Sequence, residues 1–365
     1  MTVSKSVVRE FRVRLETLSP IHIRGGELGG LDYAVYGDVV YVVDADKLFN
    51  ALMGKGLLER YLQFLSRGVE QKRLSDFLNG VGLFNEGFLR SISTYTMRCN
   101  RGLELAGQEV KVFIRGPSGS LYLPGSSLKG SLRTAVILRY LLNDERLRSR
   151  VEASIGDRRP GAVVESVLRS MGGVLGSDLL RLLRPSDLFP SSGGVVGEVA
   201  RLSSLSFRSG NLRGHGFVEV VPPGVVFEGF VRVLVEERVV RYVGRRVDLG
   251  EFVDAIRVRS ERLLNRLLSR LSGVPQGSGV EVVKNYLVRI RGRLGGGGVV
   301  STVGFGQSYW GVTVTEFKPE LARYLRIKRY RGPDFPGAMR VVDRGFGLEP
   351  LGWVLLGFEE VVGGG

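Results

Sequence analysis

The chain has 365 residues, and its 52 Lys and Arg against 37 Asp and Glu give a formal net charge of +15. Such an excess favours an anionic partner, of which nucleic acid is the commonest. Only 9 of the basic residues are lysines, and the planar guanidinium of arginine suits phosphate contacts and base stacking. A genome that favours arginine throughout is the alternative explanation, because the excess is spread along the whole chain.

Composition excludes several classes of protein. With 43% hydrophobic residues and a mean hydropathy of +0.07, the chain is no disordered basic tail and can bury a sizeable core. A single cysteine, Cys99, and two histidines, His22 and His215, exclude a disulfide framework and cysteine- or histidine-rich metal sites. We therefore expect no metal and no cofactor. The lack of an apolar leader or long apolar run predicts a soluble protein of the cytoplasm.

The glycine content is unusual, as is the net charge. The 52 glycines make up about 14% of the chain, near twice the usual share. They cluster in short stretches between apolar segments. Such stretches are typical of loops in which the backbone turns sharply or approaches a ligand.

The first elements have clear periodicity. Residues 8–18 alternate apolar and polar side chains, which predicts a half-buried strand. A glycine-rich loop is expected over Arg24–Gly30. The apolar runs Tyr33–Tyr36 and Val39–Val43 are joined by Gly37-Asp38, which predicts a tight hairpin. Asp44 or Asp46 is then expected to cap a helix.

The rest of the chain alternates helices and strands. The predicted order is a mainly helical segment over 55–110, short strands at 112–114 and 121–123, a helix over 127–142, an Arg-rich helical segment over 143–185, a linker over 185–197, a hairpin of 217–221 and 225–235 around Pro222-Pro223-Gly224, a helix over 251–271 and a glycine-rich stretch over 295–311. Each half thus holds a hairpin and a helix. We predict an α+β protein of two ferredoxin-like (RRM-like) modules, residues 1–190 and 191–365, with helical insertions and glycine-rich loops.

One segment combines a helix start with positive charge. Pro124-Gly125 ends a strand, Ser126 or Ser127 is expected to cap the following helix, and Lys129 and Arg133 lie four residues apart on one of its faces. The free N–H groups of a helix N-terminus attract phosphate. The segment is therefore a candidate phosphate site, and an ordinary amphipathic helix with a solvated basic face is the alternative.

Two glycine loops are further candidates. The first places His22 and Arg24 beside Gly25 and Gly26, which is typical of a phosphate-facing turn. The alternative is that His22 has a purely structural role. The second, over 301–311, interleaves glycines with aromatic residues, so backbone N–H groups can reach phosphates while rings offer stacking platforms. A mobile loop with core aromatics is the alternative here.

Charged residues elsewhere are less informative. Arg259, Arg262, Arg266 and Arg270 form a stripe along the 251–271 helix, for which we expect a solvated face, with RNA or an acidic partner as the alternative. No carboxylate cluster with metal spacing and no nucleophile–histidine arrangement occurs in the sequence. Catalysis is therefore not expected.

Three of these segments together resemble one family. Residues 18–26 (LSPIHIRGG), 123–134 (LPGSSLKGSLRT) and 303–310 (VGFGQSYW) are similar, in order, to three signatures of RAMP proteins in CRISPR effector complexes. The tail segments 333–336 (PDFP) and 349–353 (EPLGW) and the strand around Pro222-Pro223-Gly224 look most like the group 5 subunit of the type III-A (Csm) complex. The first loop departs from the family's Ile-Gly-x-Gly pattern at Arg24.

The resemblance implies RRM-like modules and a non-catalytic role. It implies a subunit at the 3′ end of the CRISPR RNA that aids 3′-end maturation in antiviral defence, with the CRISPR RNA, backbone RAMP subunits and host nucleases as partners. Carried over by position, the RNA-binding residues are His22, Arg24, Gly25, Gly26, Ser126, Ser127, Lys129, Arg133, Gly304, Phe305, Gly306 and Ser308.

Two alternatives remain. A backbone RAMP that cleaves target RNA uses an aspartate in the first loop, for which Asp32 is the plausible match. A general RNA-binding scaffold without a CRISPR role is supported by charge and composition alone.

Overall fold

The computed structural model describes residues 7–66, 72–100, 104–105, 107–146, 148–149, 183–235, 249–275, 277–307, 310–311 and 336–361. It confirms the α+β class. In this part of the chain the strands are β1 Val7–Thr17, β2 Arg24–Leu28, β3 Tyr33–Tyr36, β4 Val39–Val43, β5 Ser93–Cys99, β6 Val110–Phe113, β7 Leu183–Pro185, β8 Phe189–Pro190, β9 Gly197–Ser206, β10 Leu212–Val220, β11 Val226–Val235, β12 Val299–Thr302, β13 Ala338–Asp343, β14 Leu348–Pro350 and β15 Trp353–Glu360. The helices are α1 Ala45–Gly54, α2 Leu58–Ser66, α3 Leu74–Gly80, α4 Glu86–Ile92, α5 Gly125–Asn143, α6 Leu249–Ser272 and α7 Ser278–Arg291. None of the helices among the described residues has both the length and the apolar character needed to cross a bilayer.

The strands form two sheets. The first has the order β12-β15-β1-β11-β7, with β8 also paired to β11. The second has the order β2-β6-β10-β9-β5-β4-β3, and β13 pairs with β9 and with β14. Both sheets contain strands from either side of residue 190, and the division into modules at that residue stays a prediction.

The predicted first strand is confirmed as β1, the centre of the first sheet. Phe11, Val13 and Leu15 are buried, as the alternation indicates. β1 pairs antiparallel with both β11 and β15, so one N-terminal strand joins two distant parts of the chain. The buried side chains pack against α5 and the first half of α6 in one core.

The predicted hairpin and helix cap are also confirmed. β3 and β4 pair antiparallel around Gly37, whose φ of 65° favours glycine. Asp44 is the N-cap of α1, since its side chain accepts a hydrogen bond from the backbone N–H of Lys47 at 3.1 Å. Helices α1 to α4 then form a separate apolar cluster on this hairpin.

The second predicted hairpin is wrong. β10 pairs with β9 and β6 in the second sheet, whereas β11 pairs with β1 in the first. The turn Pro222-Pro223-Gly224 is therefore a corner between two sheets. Two prolines lack the N–H groups that a ladder requires, and Thr17 accepts the Gly224 N–H at its carbonyl, which fixes the corner to the end of β1.

Other elements differ from the prediction in kind. Residues 24–28 are the edge strand β2 and not a loop, and strand β5 interrupts the segment expected to be helical over 55–110. The expected linker over 185–197 is packed, because its Leu188 pairs with Leu123 through two backbone hydrogen bonds of 2.8 Å. The glycine-rich stretch contains β12. Most of the Arg-rich segment over 143–185 lies outside the described residues.

Candidate nucleic-acid interface

The first and third glycine segments meet at one backbone hydrogen bond. The N–H of Phe305 donates to the carbonyl oxygen of His22 at 2.7 Å. Gly304 has φ 76°, and a Cβ there would overlap that same carbonyl, so only glycine fits. We call this contact between His22 and residues 304–306 the glycine junction. Gly306, at φ 89°, packs against Leu351.

His22 is a buried part of the junction and not an exposed turn residue. Only 1% of it is accessible, and its ring lies edge-on to Phe113 and Phe305 with centroids 6.2 and 5.9 Å away. Its Nδ1 lies 2.7 Å from the carbonyl oxygen of Glu219 and must donate to it. Burial lowers the pKa of His22 from 6.5 to about 4, so the ring is neutral at pH 7.

The neutral tautomer has a consequence for the other ring nitrogen. With its proton on Nδ1, His22 presents a bare lone pair at Nε2. That atom has no hydrogen-bond partner among the residues that the structure describes. A buried acceptor without a partner costs free energy. The ring of Phe305, which is 41% exposed, lies beside the His22 ring.

A buried ion pair includes Glu219, the residue whose backbone carbonyl accepts the hydrogen bond from His22. The Glu219 carboxylate accepts the N–H of Phe113 at 2.9 Å and a hydrogen bond from the Arg115 guanidinium, which also lies over the Tyr95 ring at 3.7 Å. Burial raises the pKa of Glu219, and Arg115 works against that rise. The sequence reasoning assigned no role to this pair. The signal was a glutamate inside the apolar run 217–221.

The remaining residues of the first segment lie on the edge strand β2. Arg24 is exposed and pairs with Glu27. Gly25 lies so close to β6 that a Cβ would approach the Ile114 Cα to 2.6 Å, which explains the bulge between Arg24 and Gly26. Gly25 is therefore required by packing, and Arg24 is the side chain of this segment that faces solvent.

The start of α5 differs from the prediction. Its N-cap residue is Pro124, with Ser126 and Ser127 inside the first turn. The backbone N–H of Gly125 donates to the Asp187 carboxylate at 2.8 Å, so an acidic side chain of this chain already occupies the position expected for a phosphate. A Cβ on Gly125 would lie 2.5 Å from the Pro185 carbonyl, and this glycine, too, is required by packing.

The inner face of α5 contacts β12, the strand that leads into the glycine junction, whereas its cations lie on the outer face. Ser131 is buried and its hydroxyl lies 3.1 Å from that of Ser301, two residues before Val303. Lys129 and Arg133 are each two residues from Ser131, or about 200° around the helix. Arg133 is exposed and Lys129 half-buried. The three segments thus converge in the fold, with the two cations on the side that faces away from the junction.

The arginine stripe of α6 is not a solvated face. Arg259 is 1% exposed and donates to the Gly311 carbonyl and, at 3.5 Å, to Ser131. Arg266 lies over the Trp310 ring at 4.7 Å, and Arg270 lies 6.0 Å from the Phe207 ring centroid. The expectation failed because α6 packs against α5 and the glycine-rich segment, which cover that side. Arg262 is exposed.

Asp32, the catalytic residue of the alternative hypothesis, closes a turn. Its carboxylate accepts the Gly29 N–H at 2.6 Å. Within the described ranges, no group of three or more His, Cys, Asp and Glu side chains is placed to hold a metal ion. Ser308, Tyr309 and residues 333–335 lie outside those ranges, so their predicted roles stay predictions.

Comparison with known proteins identifies the family of this chain. The model of the RAMP superfamily matches residues 14–307. The chain belongs to the RAMP superfamily, as the three signature segments predict.

The curated relatives are more specific. A CRISPR system Cms protein Csm5 of Streptococcus thermophilus is 35% identical over 140 residues, which cover 36% of this chain and 39% of that protein. The Csm5 protein of Enterococcus italicus is 27% identical over 152 residues, 36% of this chain and 43% of the relative. The matches thus span about two fifths of the length of these relatives.

Solved structures share the fold over nearly the whole chain. A chain in a cryo-EM structure of a Csm–crRNA–target RNA ternary complex of a type III-A CRISPR-Cas system has a TM-score of 0.68 and 19% identity, covering 95% of this chain and 100% of that one. The crystal structure of T. onnurineus Csm5 gives 0.65 and 18%, with coverage of 94% and 99%.

Proposed function

We propose that this protein is a non-catalytic subunit of a type III-A CRISPR effector complex that binds the CRISPR RNA, caps its 3′ end and aids its maturation. The observation that carries the proposal is the glycine junction, in which segments 22–26 and 304–306 are joined directly. The middle signature contacts β12, just before the third segment, through Ser131 and Ser301. Parts of three signatures that are distant in sequence thus lie together in the fold, which supports a shared role.

The site supports recognition of RNA by backbone and shape. The exposed groups of the first and third segments are the Arg24 side chain and the half-exposed Phe305 ring, and Arg133 is exposed on the outer face of α5. Cations contact phosphates and an aromatic ring stacks on any base, so neither reads sequence. A guide RNA differs from one complex to the next, and a sequence-independent interface suits such a ligand.

The relatives support the choice of subunit. The curated matches carry the name Csm5, and a type III-A complex with crRNA and target RNA contains a chain of the same fold. The proposed partners are therefore the CRISPR RNA and a neighbouring backbone RAMP subunit, with host nucleases as partners in maturation. The expected location is the cytoplasm, where such a complex meets RNA.

The experiment that separates this proposal from a target-cleaving RAMP uses the purified full chain and Asp32→Ala. We expect no Mg²⁺-dependent cleavage of a labelled target RNA by either protein, alone or in the reconstituted complex beyond that of the other subunits. Cleavage by the chain that disappears in Asp32→Ala would overturn the proposal, because a carboxylate that only closes a turn does not affect RNA hydrolysis.

A further inference from the structure

A cavity of about 430 Å³ lies in the second sheet, among elements that do not form the glycine junction. It is bordered by the β3–β4 turn, the end of β5, the start of β9 and the turn between β13 and β14. This volume is within the range of about 300–1,000 Å³ for small-ligand sites. We call it the Phe346 pocket, and the side chains relevant to its chemistry are Asp38, Arg98, Asn100, Glu198, Arg344 and Phe346.

The turn that carries Phe346 is held in one conformation. The Asp343 carboxylate accepts the N–H groups of Gly345 and Gly347 at 2.7 and 3.2 Å, and both glycines have positive φ, 95° and 108°. A Cβ on Gly345 would overlap the Asn100 side chain. Arg344 donates to Glu198 at 2.5 Å and to Glu349 at 2.7 Å. The turn is therefore fixed before any ligand binds.

This rigid turn exposes an aromatic ring. Phe346 is 77% exposed, more than any other large hydrophobic residue in the described part of the chain. The Arg344 guanidinium carbon lies 5.6 Å from the ring centroid, in the range of a cation–π contact. An exposed ring on a fixed turn beside a cavity is a stacking platform, because the backbone that carries it needs no ordering on binding.

Two side chains of opposite charge at the pocket, Asp38 and Arg98, are available to a ligand. Arg344 is shared by the Glu198 and Glu349 carboxylates, so its charge is already taken up within the protein. The Asp38 carboxylate and the Arg98 guanidinium, by contrast, have no hydrogen-bond or ion-pair partner among the residues that the structure describes. Both are exposed. A ligand that satisfies this pocket needs a flat ring, hydrogen-bond donors for a carboxylate and an anionic group for a guanidinium.

We propose that the Phe346 pocket binds a nucleobase that carries a phosphate, and that it prefers guanine. The base stacks on Phe346, the Asp38 carboxylate accepts the N1–H and 2-amino N–H of guanine, and Arg98 contacts the phosphate. Adenine has no N–H pair in that position. The same chemistry is offered by a free nucleotide and by a guanine in an RNA strand, and the RNA source rests on the proposed function.

The first arm measures GMP and AMP binding to the full chain by calorimetry. We expect GMP to bind more tightly than AMP. Phe346→Leu weakens GMP binding roughly tenfold, the size expected for one lost stack, whereas Phe346→Tyr keeps it. Asp38→Asn removes the preference for GMP but leaves AMP binding unchanged. Leu212→Ala, at a half-exposed leucine of β10, is the matched control and changes neither.

The second arm places a fluorescent guanine analogue at successive positions of a single-stranded RNA. If the source is RNA, one position is quenched and Phe346→Leu abolishes that quenching while the chain still binds the RNA. If the chain binds no RNA but GMP binding depends on Phe346, the source is free nucleotide and the pocket stands while the proposed function fails.

RNA binding without nucleotide binding at the pocket would separate the two proposals in favour of the proposed function. If millimolar GMP does not bind and no RNA position is quenched although the chain binds RNA, the pocket proposal is overturned and the proposed function stands. Loss of a protein partner on Phe346→Leu together with no nucleotide binding would likewise overturn it, and would assign the exposed ring to a protein interface.

Discussion

The backbone N–H of Phe305 donates to the carbonyl oxygen of His22, and this hydrogen bond of 2.7 Å joins the first and third signature segments of the chain. It leaves no room for a side chain at Gly304. The glycines of the third segment therefore serve first to bring backbone against backbone. We propose that the side chains around this contact, and not the glycines, face the RNA.

Gly304→Ala tests the junction. We expect a loss of more than about 2 kcal/mol in the free energy of unfolding, because the new Cβ meets the His22 carbonyl and φ 76° is unfavourable for alanine. Urea denaturation measures the loss. Gly295→Ala is the control, since Gly295 has open space around it and no positive φ. Equal stability of both variants would show that the junction does not constrain the backbone.

His22 makes stability depend on pH. The unfolded ring binds a proton below pH 6.5, whereas the folded ring resists it down to about pH 4. Stability is therefore lost as pH falls through this window, by up to about 3 kcal/mol at pH 4. Comparing urea denaturation of the wild type with that of His22→Gln between pH 7 and 4.5 isolates this loss, since Glu219 is common to both. Parallel pH profiles would contradict a neutral, buried His22.

Arg115 and Glu219 form a pair whose members need each other. Arg115→Met leaves the fully buried Glu219 carboxylate without its cation, and we expect about 3–5 kcal/mol of destabilisation. The raised pKa of Glu219 makes this loss larger as pH rises. The double variant Arg115→Met/Glu219→Gln recovers at least half of it, because no buried charge remains. Additive losses in the double-mutant cycle would show that the two side chains act independently.

The hypothesis that Lys129 and Arg133 contact RNA phosphates can be tested by substitution. Replacing both by alanine weakens binding of single-stranded RNA uniformly across sequences and lowers the slope of log K against log salt by about 0.7 per lost contact. Filter binding at several salt concentrations measures the slope. Arg60→Ala, at an exposed arginine of α2, is the control. An unchanged slope in the double variant would make this face of α5 an ordinary solvated surface.

Local pattern predicted much of the fold. β1, the first hairpin, α5 and α6 follow from periodicity within a few positions, and the Asp44 cap of α1 follows from its residue type. The cap predicted for α5 at Ser126 or Ser127 is wrong. β10 and β11 show the limit of such patterns. Two strands around Pro222-Pro223-Gly224 look like a hairpin locally, but pairing with β1 depends on a strand some two hundred residues earlier.

The candidate site was predicted as segments and not as an arrangement. Motif spacing located the residues around His22, α5 and Gly304. Only the fold shows that Gly25 and Gly125 are packing residues and that the Asp187 carboxylate accepts the Gly125 N–H at the start of α5. Burial is equally non-local. Arg259 looks like any surface arginine on a helical wheel and is covered by segments far away in sequence.

The most direct test of the central claim is ultraviolet cross-linking of this subunit to RNA in the assembled complex, purified from its host, followed by sequencing of the attached RNA. We expect CRISPR RNAs of many different spacer sequences, with cross-links concentrated at their 3′ ends and reduced in Lys129→Ala/Arg133→Ala. Cross-links spread over bulk cellular RNA, or confined to the 5′ part of the guide, would contradict the account.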